Sequence, residues 1–339
     1  MIKKTLDKLK QFFKENIKDI IILFVLYSIF MYPLDYYIIT GGGIMKIEDR
    51  IVIENEYKSK GSFNLAYVAE IKGTVATYLL SYLMPNWERE KLSDYTYNDI
   101  ETLKDVEFRS NIDLLQASDN AIKNAYIEAG KDYNISKKEV YVYYIDEKSK
   151  SNLKVGDQIL SIDDQEIKDT DSMKNIISKY NVGDKLKIKV KRATKEKIIY
   201  ADMYKEKDTK KLGIFVEEIH KYKTNPKIKI KFKKGETGPS GGLAETLDIY
   251  NKLTKKDITK GKVVVATGEI DKDGNILPIG GVKYKLLGAA KKKADIFIVP
   301  KELNYDECLK VAKKNNLKIK IIGVSTFKEA VEELDKLNK

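Results

Sequence analysis

Two short segments combine residue types that could carry out covalent chemistry. The first is Gly238-Pro-Ser-Gly-Gly242, with Ser240 directly ahead of a helix-like run, Leu243 to Leu253. Glycine and proline let the chain turn sharply before such a helix. The hydroxyl then stands where unpaired N–H groups face developing negative charge. That arrangement suits a nucleophile, with backbone N–H groups around Ser240 and Gly241 holding an oxyanion. The second segment is Leu277-Pro-Ile-Gly-Gly-Val-Lys-Tyr-Lys285, which opens another helix. A serine needs a base. The chain has one histidine, His220, so a Ser-His-Asp triad could use no other. It lies on a charged stretch and reads as surface. Lysine is the alternative, because Ser-Lys is a known form of the nucleophile–base pair. Helical spacing puts Lys283 on a face with Leu286, Leu287 and Ala290, and Lys285 on one with Ala289 and Lys292. A lysine desolvated by apolar neighbours loses its proton near neutral pH. This reading assigns the base to Lys283 and places Lys285 on the solvated face. Thr267 ends the strand-like run Val263 to Gly268. It is either a hydrogen-bond partner of the lysine amine or a structural strand residue.

With Ser240 and Lys283 43 residues apart, the two segments together resemble the proteolytic domain of Lon-type serine peptidases. Thr267-Gly-Glu-Ile270 and Ala294-Asp-Ile-Phe-Ile-Val-Pro300 are similar to that family as well. The resemblance runs from about Lys210 to Lys339. It implies a Ser-Lys dyad, peptide substrates and, by analogy, ring-forming homo-oligomers.

The elements positioning these groups alternate. Strands are expected at Ile228–Phe232, Lys262–Thr267, Asp295–Val299 and Leu317–Gly323, with helices after Ser240, after Gly281, at Tyr305–Lys314 and at Thr326–Leu337. This is an α/β layout. No Gly-X-X-X-X-Gly-Lys-Ser/Thr loop occurs in the chain, so no phosphate-cradling ATPase motif accompanies it. Cys308 is the one cysteine and excludes an internal disulfide. With a single histidine it offers no ordinary zinc site, and no metal or cofactor is expected.

Ahead of this domain, Glu139 to about Lys205 reads as a β-rich module. Leu153-Lys-Val-Gly-Asp-Gln-Ile-Leu-Ser-Ile162 follows the Leu-X-X-Gly-Asp-X-Ile-X-X-Ile pattern and resembles PDZ domains. Gly183 to Lys191 alternates as a half-buried strand should. The resemblance implies peptide capture by strand addition, in a groove between Val140, Tyr141 and Val142 and the helix Thr170–Lys179. Glu139 stands where relatives usually carry glycine, which argues against reading a free C-terminal carboxylate. Lys195 to Lys211 reads as a polar linker.

At the N-terminus, Lys3, Lys4, Lys8, Lys10, Lys14 and Lys18 precede an apolar run, Ile20 to Ile39, interrupted by Asp35. A spanning helix needs about 20 residues. The flanking lysines place the N-terminus in the cytoplasm and the rest outside. Gly41 to Gly43 reads as a hinge after the membrane. Thr74–Met84 and Thr96–Ala129 look helical.

The chain has 339 residues, 42% hydrophobic and 34% charged, with a net charge of +12. The excess is lysine without an arginine-rich arm or zinc finger, and it reads as a solvated surface, with no nucleic-acid partner. The sequence therefore predicts a multidomain α/β and α+β protein. Its parts are a cytoplasmic tail (1–18), a transmembrane helix (19–39), a juxtamembrane α+β region (40–138), a PDZ-like module (139–206) and a Lon-type proteolytic domain (207–339). Its expected function is that of a membrane-anchored serine endopeptidase independent of ATP. The alternative is a catalytically inactive, membrane-tethered peptide-binding scaffold.

Overall fold

The computed structural model describes residues 2–337; the side chains of Lys3, Lys4 and Lys10, half of the expected lysine flank, lie outside the described ones. The chain opens with α1 (Ile2–Glu15), α2 (Ile17–Phe30), β1 (Pro33–Lys46), β2 (Ile51–Ile53), β3 (Ser62–Thr74), α3 (Val75–Leu80), β4 (Glu88–Lys91) and α4 (Leu103–Glu128). It divides into two compact units, Met1–Gly41 with Ala69–Tyr95, and Gly42–Val68 with Thr96–Lys339.

In the first unit the expected membrane helix is not continuous. α2 ends at Phe30, and Tyr36 to Ile39 lie in β1, paired antiparallel with Lys91 to Glu88 of β4. Pro33 accounts for the break, since it disfavours helix for the residue before it. The Tyr-Tyr-Ile-Ile run beyond has strong strand preference, and Ile38 and Ile39 are buried. Fourteen residues of α2 span about 21 Å. No helix among the described residues is long and apolar enough to cross a membrane. α3 starts at Thr74, whose side chain accepts a hydrogen bond from the Thr77 N–H in a capping box.

The second unit continues with β5 (Asp132–Ile145), β6 (Lys150–Ser151), β7 (Gln158–Ile162), β8 (Gln165–Glu166), α5 (Thr170–Ile177), β9 (Lys185–Arg192), β10 (Lys195–Asp202), β11 (Tyr204–Glu206), β12 (Thr209–Lys211), β13 (Ile214–Asn225) and β14 (Ile228–Ile230). Then come α6 (Gly242–Leu253), β15 (Val263–Ala266), β16 (Glu269–Ile270), β17 (Ile276–Leu277), α7 (Val282–Lys291), β18 (Ile296–Pro300), α8 (Asn304–Lys314), β19 (Lys320–Val324) and α9 (Phe327–Lys336).

The proteolytic core is a parallel sheet in the order β19-β18-β15-β3. Its strands are apolar on both faces, as parallel strands covered by helices must be. Leu65, Val264, Ala266, Ile296 and Ile298 face one core, with α6 and α9 residues. Ala66, Val265, Phe297 and Val299 face the other, with Val282, Leu286 and Ala289 of α7 and Cys308 of α8. Alternation along each strand makes the two sets.

Two expected boundaries change. Residues 40–138 are not simply juxtamembrane, because β2, β3 and α4 supply Ile51, Ile53, Phe63, Leu65, Ala121 and Ile122 to the proteolytic core. The module is therefore inserted into the proteolytic fold instead of preceding it. The expected linker 195–211 is also structured. β10 pairs with β9 along its length, β11 with β12, and Ile199, Ala201, Met203 and Leu212 join the module's own core.

The expected peptide groove is filled. Val140, Tyr141 and Val142 lie on β5, which pairs with β7 on one side and with β13 on the other, Val140 opposite Glu218, Tyr141 opposite Glu217 and Val142 opposite Val216. Both hydrogen-bonding edges of that stretch are occupied. The Thr170 N–H and hydroxyl of α5 donate to Glu218 of β13, each at 2.7 Å. Strand addition at β5 is thus already performed by the chain's own β13.

Candidate active site

Ser240 lies in a short 3-10 turn, Pro239–Gly241, immediately before α6. Gly238 has φ +81°, a left-handed conformation that glycine adopts without strain. Three contacts fix the turn. The Gly238 N–H donates to the Ser110 carbonyl of α4 at 2.9 Å. The Gly268 N–H donates to the Ser240 carbonyl at 2.9 Å, and the Thr267 hydroxyl to the same oxygen at 3.1 Å. Thr267 is wholly buried. Its hydroxyl holds the serine turn at the carboxyl end of β15. The structure joins Thr267 to the backbone of Ser240, where a bond to the lysine amine or a purely structural place in the strand was expected.

α7 settles the orientation of the two lysines. Its buried residues are Val282, Tyr284, Lys285, Leu286, Gly288 and Ala289. Lys285 is 4% exposed. Lys283 lies with Leu287 and Ala290 on the half-exposed side, and its ammonium sits 5.1 Å from the Tyr284 ring centroid. The expected solvation of the pair is therefore reversed: the solvated face carries Lys283, the buried face Lys285. Glycines decide it. A Cβ on Gly288 would come 2.6 Å from the Gly43 nitrogen, and one on Gly42 would come 2.2 Å from the Tyr284 carbonyl oxygen. Gly42 and Gly43 are thus close-packing positions of a strand under α7, where a hinge was expected.

Ser240 and the start of α7 both lie against β3, three residues apart along the strand. A Cβ on Gly241, next to the serine, would contact Leu65 of β3 at 3.7 Å. Three residues further along β3, Val68 would meet a Cβ on Gly281, the residue ahead of α7, at 2.7 Å. Both elements begin at the carboxyl end of parallel strands, where open α/β sheets place their sites.

Beneath Ser240 runs a buried charged network that sequence reasoning missed. Arg50 is 4% exposed; it donates to Glu245 of α6 at 2.7 Å and pairs with Glu236 in the loop before the serine. Its guanidinium lies 5.3 Å from the Phe232 ring centroid. Burial pushes the Glu245 carboxyl up to about 7, against the opposing pull of Arg50. One turn on, burial raises Asp248 to about 6, opposed by Lys252 at 3.1 Å. α6 reads as amphipathic in sequence but is buried almost all round, so no periodicity signals these groups.

His220 is not a plain surface residue. Its Nδ1 is 2.5 Å from Asp119 of α4 and its Nε2 3.2 Å from Glu218. The Asp119 bond raises its pKa, against burial. Tyr133 donates to Asp119 at 2.6 Å, and Lys138 pairs with Glu218 at 3.1 Å. The structure places this cluster on β13, β5 and α4, with none of its hydrogen bonds made to the serine turn. No cluster able to hold a metal ion occurs among the described residues.

A serine at the turn into a buried helix, at the carboxyl end of parallel strands, makes this α/β fold a candidate for nucleophile chemistry. The family described as the Lon protease (S16) C-terminal proteolytic domain matches residues 153–336, more than half the chain. The chain belongs to that family. It is 35% identical over 96 residues to the Lon protease of Desulfatibacillum aliphaticivorans, covering 28% of this chain and 11% of that one. It is 36% identical over 100 residues to the Lon protease of Flavobacterium johnsoniae, covering 29% and 12%. The chain thus spans only a small part of the length of these relatives. Among solved structures, the PDZ domain of an SdrC-like protein from Listeria monocytogenes is 25% identical and covers 24% of this chain and 92% of its own, with a TM-score of 0.23. A likeness that slight carries no argument about the module.

Proposed function

We propose that this chain is a membrane-anchored serine endopeptidase in which Ser240 is the nucleophile and Lys285, in place of Lys283, is the base. The observation that carries the second half is the burial of Lys285 on α7. Lys285 is the lysine of the pair that α7 turns away from water, and it is the one we assign as proton acceptor. Ser240 Oγ attacks the scissile carbonyl carbon as its proton passes to Lys285 Nζ. The Gly241 N–H, at the head of α6, stabilises the oxyanion. The Lys285 ammonium then protonates the leaving amine, and water, deprotonated by the same lysine, releases the acyl group.

Family membership supports peptide substrates. With no nucleotide-binding loop in this chain, the substrates we propose are flexible or already unfolded segments, cut without ATP. The anchor rests on α2, which has no buried residue and is uncharged from Ile20 to Phe30. The lysine flank favours a cytoplasmic N-terminus and an external body.

The test is hydrolysis of a fluorogenic peptide by the purified full chain in detergent, without nucleotide. Turnover that vanishes in Ser240→Ala and Lys285→Ala, and survives in Lys283→Ala, is the expected result. A wild-type chain that cuts nothing would overturn the enzymatic reading. Loss of turnover in Lys283→Ala alone would return the base to that residue.

A further inference from the structure

The first unit carries a second apolar surface that the proposed function does not use. After α3 the chain turns through residues 81–86 into β4. Leu79, Leu80, Tyr82, Leu83 and Met84 are exposed there, Leu83 by 80%. A contiguous exposed apolar cluster of this kind marks an interaction site. Directly behind it stand Tyr78, Trp87 and Arg89. The Arg89 guanidinium lies 3.9 Å from the Tyr82 ring centroid and 5.7 Å from that of Tyr78, and it donates to the Ser81 hydroxyl at 2.9 Å. These contacts hold the turn open, with its leucines outward. At the other end of α3, Val75 shares one apolar groove with Phe24, Val25, Ser28 and Ile29 of α2 and with Tyr32.

We propose that the 79–84 turn is a second membrane contact, entering the interfacial layer of a lipid bilayer beside α2; this rests on the anchoring reading above. Three observations select lipid as the occupant. The helix leading into this turn, α3, packs at Val75 against α2, which is uncharged from Ile20 to Phe30 and has no buried residue. The tip is leucine and methionine, and the residues behind it are tyrosine, tryptophan and arginine, the types that sit at headgroup level. α2 spans about 21 Å against a hydrocarbon thickness of about 30 Å, so a second contact adds apolar area that the helix alone lacks. Two contacts would also fix the tilt of this unit at the surface, which a single helix would leave free to swing.

Trp87 is the only tryptophan in the chain, so its emission reports on this turn without labelling. The full chain would be reconstituted in phosphatidylcholine–phosphatidylglycerol vesicles containing lipids brominated either near the headgroup or near the chain end. We expect Trp87 to be quenched strongly by the shallow bromines and weakly by the deep ones. Leu79→Asp/Leu83→Asp should abolish that quenching while the chain still floats with the vesicles. Both side chains are exposed, so the double variant should keep its fold and its hydrolysis of a short soluble peptide. A chain that floats with Trp87 unquenched would overturn the second contact and leave the anchor standing; a tip covered by another protein or a second copy gives this result. Quenching unchanged in the double variant would overturn it as well. A chain that fails to float removes the anchor, and this contact with it.

Discussion

The proteolytic core and the inserted module bury different things. The module's interior is apolar, built from Val140, Val142, Ile159, Leu186, Ile188, Val190 and their neighbours. Its buried acid, Asp157, is met by Arg192 at 2.6 and 2.7 Å, with the arginine partly in solvent. Around α6 and α7 of the proteolytic core, Arg50, Glu245, Asp248, Lys252 and Lys285 are all withdrawn from water. Taking a charge into the interior costs several kcal/mol before any pairing repays it. A fold that only needed stability would use apolar residues there, as the module does. The charges gather on the helix behind Ser240 and the helix beside it, where the proposed chemistry needs groups held in one geometry.

The largest effect should come from Lys285. Removing one member of a nucleophile–base unit costs on the order of 10⁴ to 10⁶ in turnover, and the double variant is hardly worse than the single. Lys285→Ala, Ser240→Ala and the pair together should therefore give nearly the same residual rate. Lys285→Arg should be as damaging as alanine, because arginine keeps its proton. Lys283→Ala should retain near-normal turnover. The reverse pattern would break the link between buried charge and chemistry.

Arg50 comes next and acts on stability. Removing one partner of a buried ion pair costs about 3–5 kcal/mol. Arg50→Met strands two carboxylates, and its urea midpoint should fall far. Arg192→Met in the module removes a partly solvated arginine, so water can take its place beside Asp157, which keeps its hydrogen bond from the Lys154 N–H. Its cost should be about 1–3 kcal/mol. Equal losses would erase the contrast between the two regions.

These residues also show what the sequence could and could not reveal. The strand and helix order from Ile228 onward was legible, because short apolar runs alternate with amphipathic ones, and Thr326 caps α9 as its type suggests. The turn at Ser240 and the strand run ending near Thr267 were legible, because Gly-Pro-Ser-Gly-Gly and a buried apolar run are local patterns. The inward face of α7 was not, because 283/287/290 and 282/286/289 are both apolar stripes. Only the approach of Gly288 to Gly43 decides which one turns inward, and that is a contact between distant segments. The insertion of the module was hidden for the same reason: β3 and α4 precede it, yet β3 joins a sheet whose other parallel strands follow it and α4 packs into the same core. A subtler signal existed in Arg50, Arg89, Arg109 and Arg192, the few arginines among 63 basic residues. Each one is paired to a carboxylate or lies over an aromatic ring, work a lysine does less well.

The packing of α7 offers a smaller test. In Gly288→Ala the new methyl meets the backbone of Gly43, which cannot rotate away. Overpacking of this kind costs about 1–3 kcal/mol, and a shift of α7 would carry Lys285 with it. Turnover should fall more than stability alone explains. A variant with lowered stability and full turnover would mean that the position of α7 tolerates movement.

The smallest effects concern pH. The folded-state pKa of Glu245 is raised to about 7 and that of Asp248 to about 6, so the native state holds protons that the unfolded chain has released. Stability from such groups is present at low pH and declines as pH rises through the folded values. Between about pH 6 and 7 the decline belongs mainly to Glu245, and Glu245→Gln should flatten it there by about 1 kcal/mol. His220 has the same sign, since Asp119 and Glu218 favour its charged form. Its contribution is complete below the ordinary imidazole value and is lost as pH rises through the raised one. His220→Asn should remove that upper part of the slope, by less than about 1 kcal/mol for a partly solvated group. The imidazole Hε1 signal of this one histidine reads its pKa directly in a proton NMR titration. A value below the ordinary one would mean that burial outweighs Asp119, and the upper slope would then run the other way.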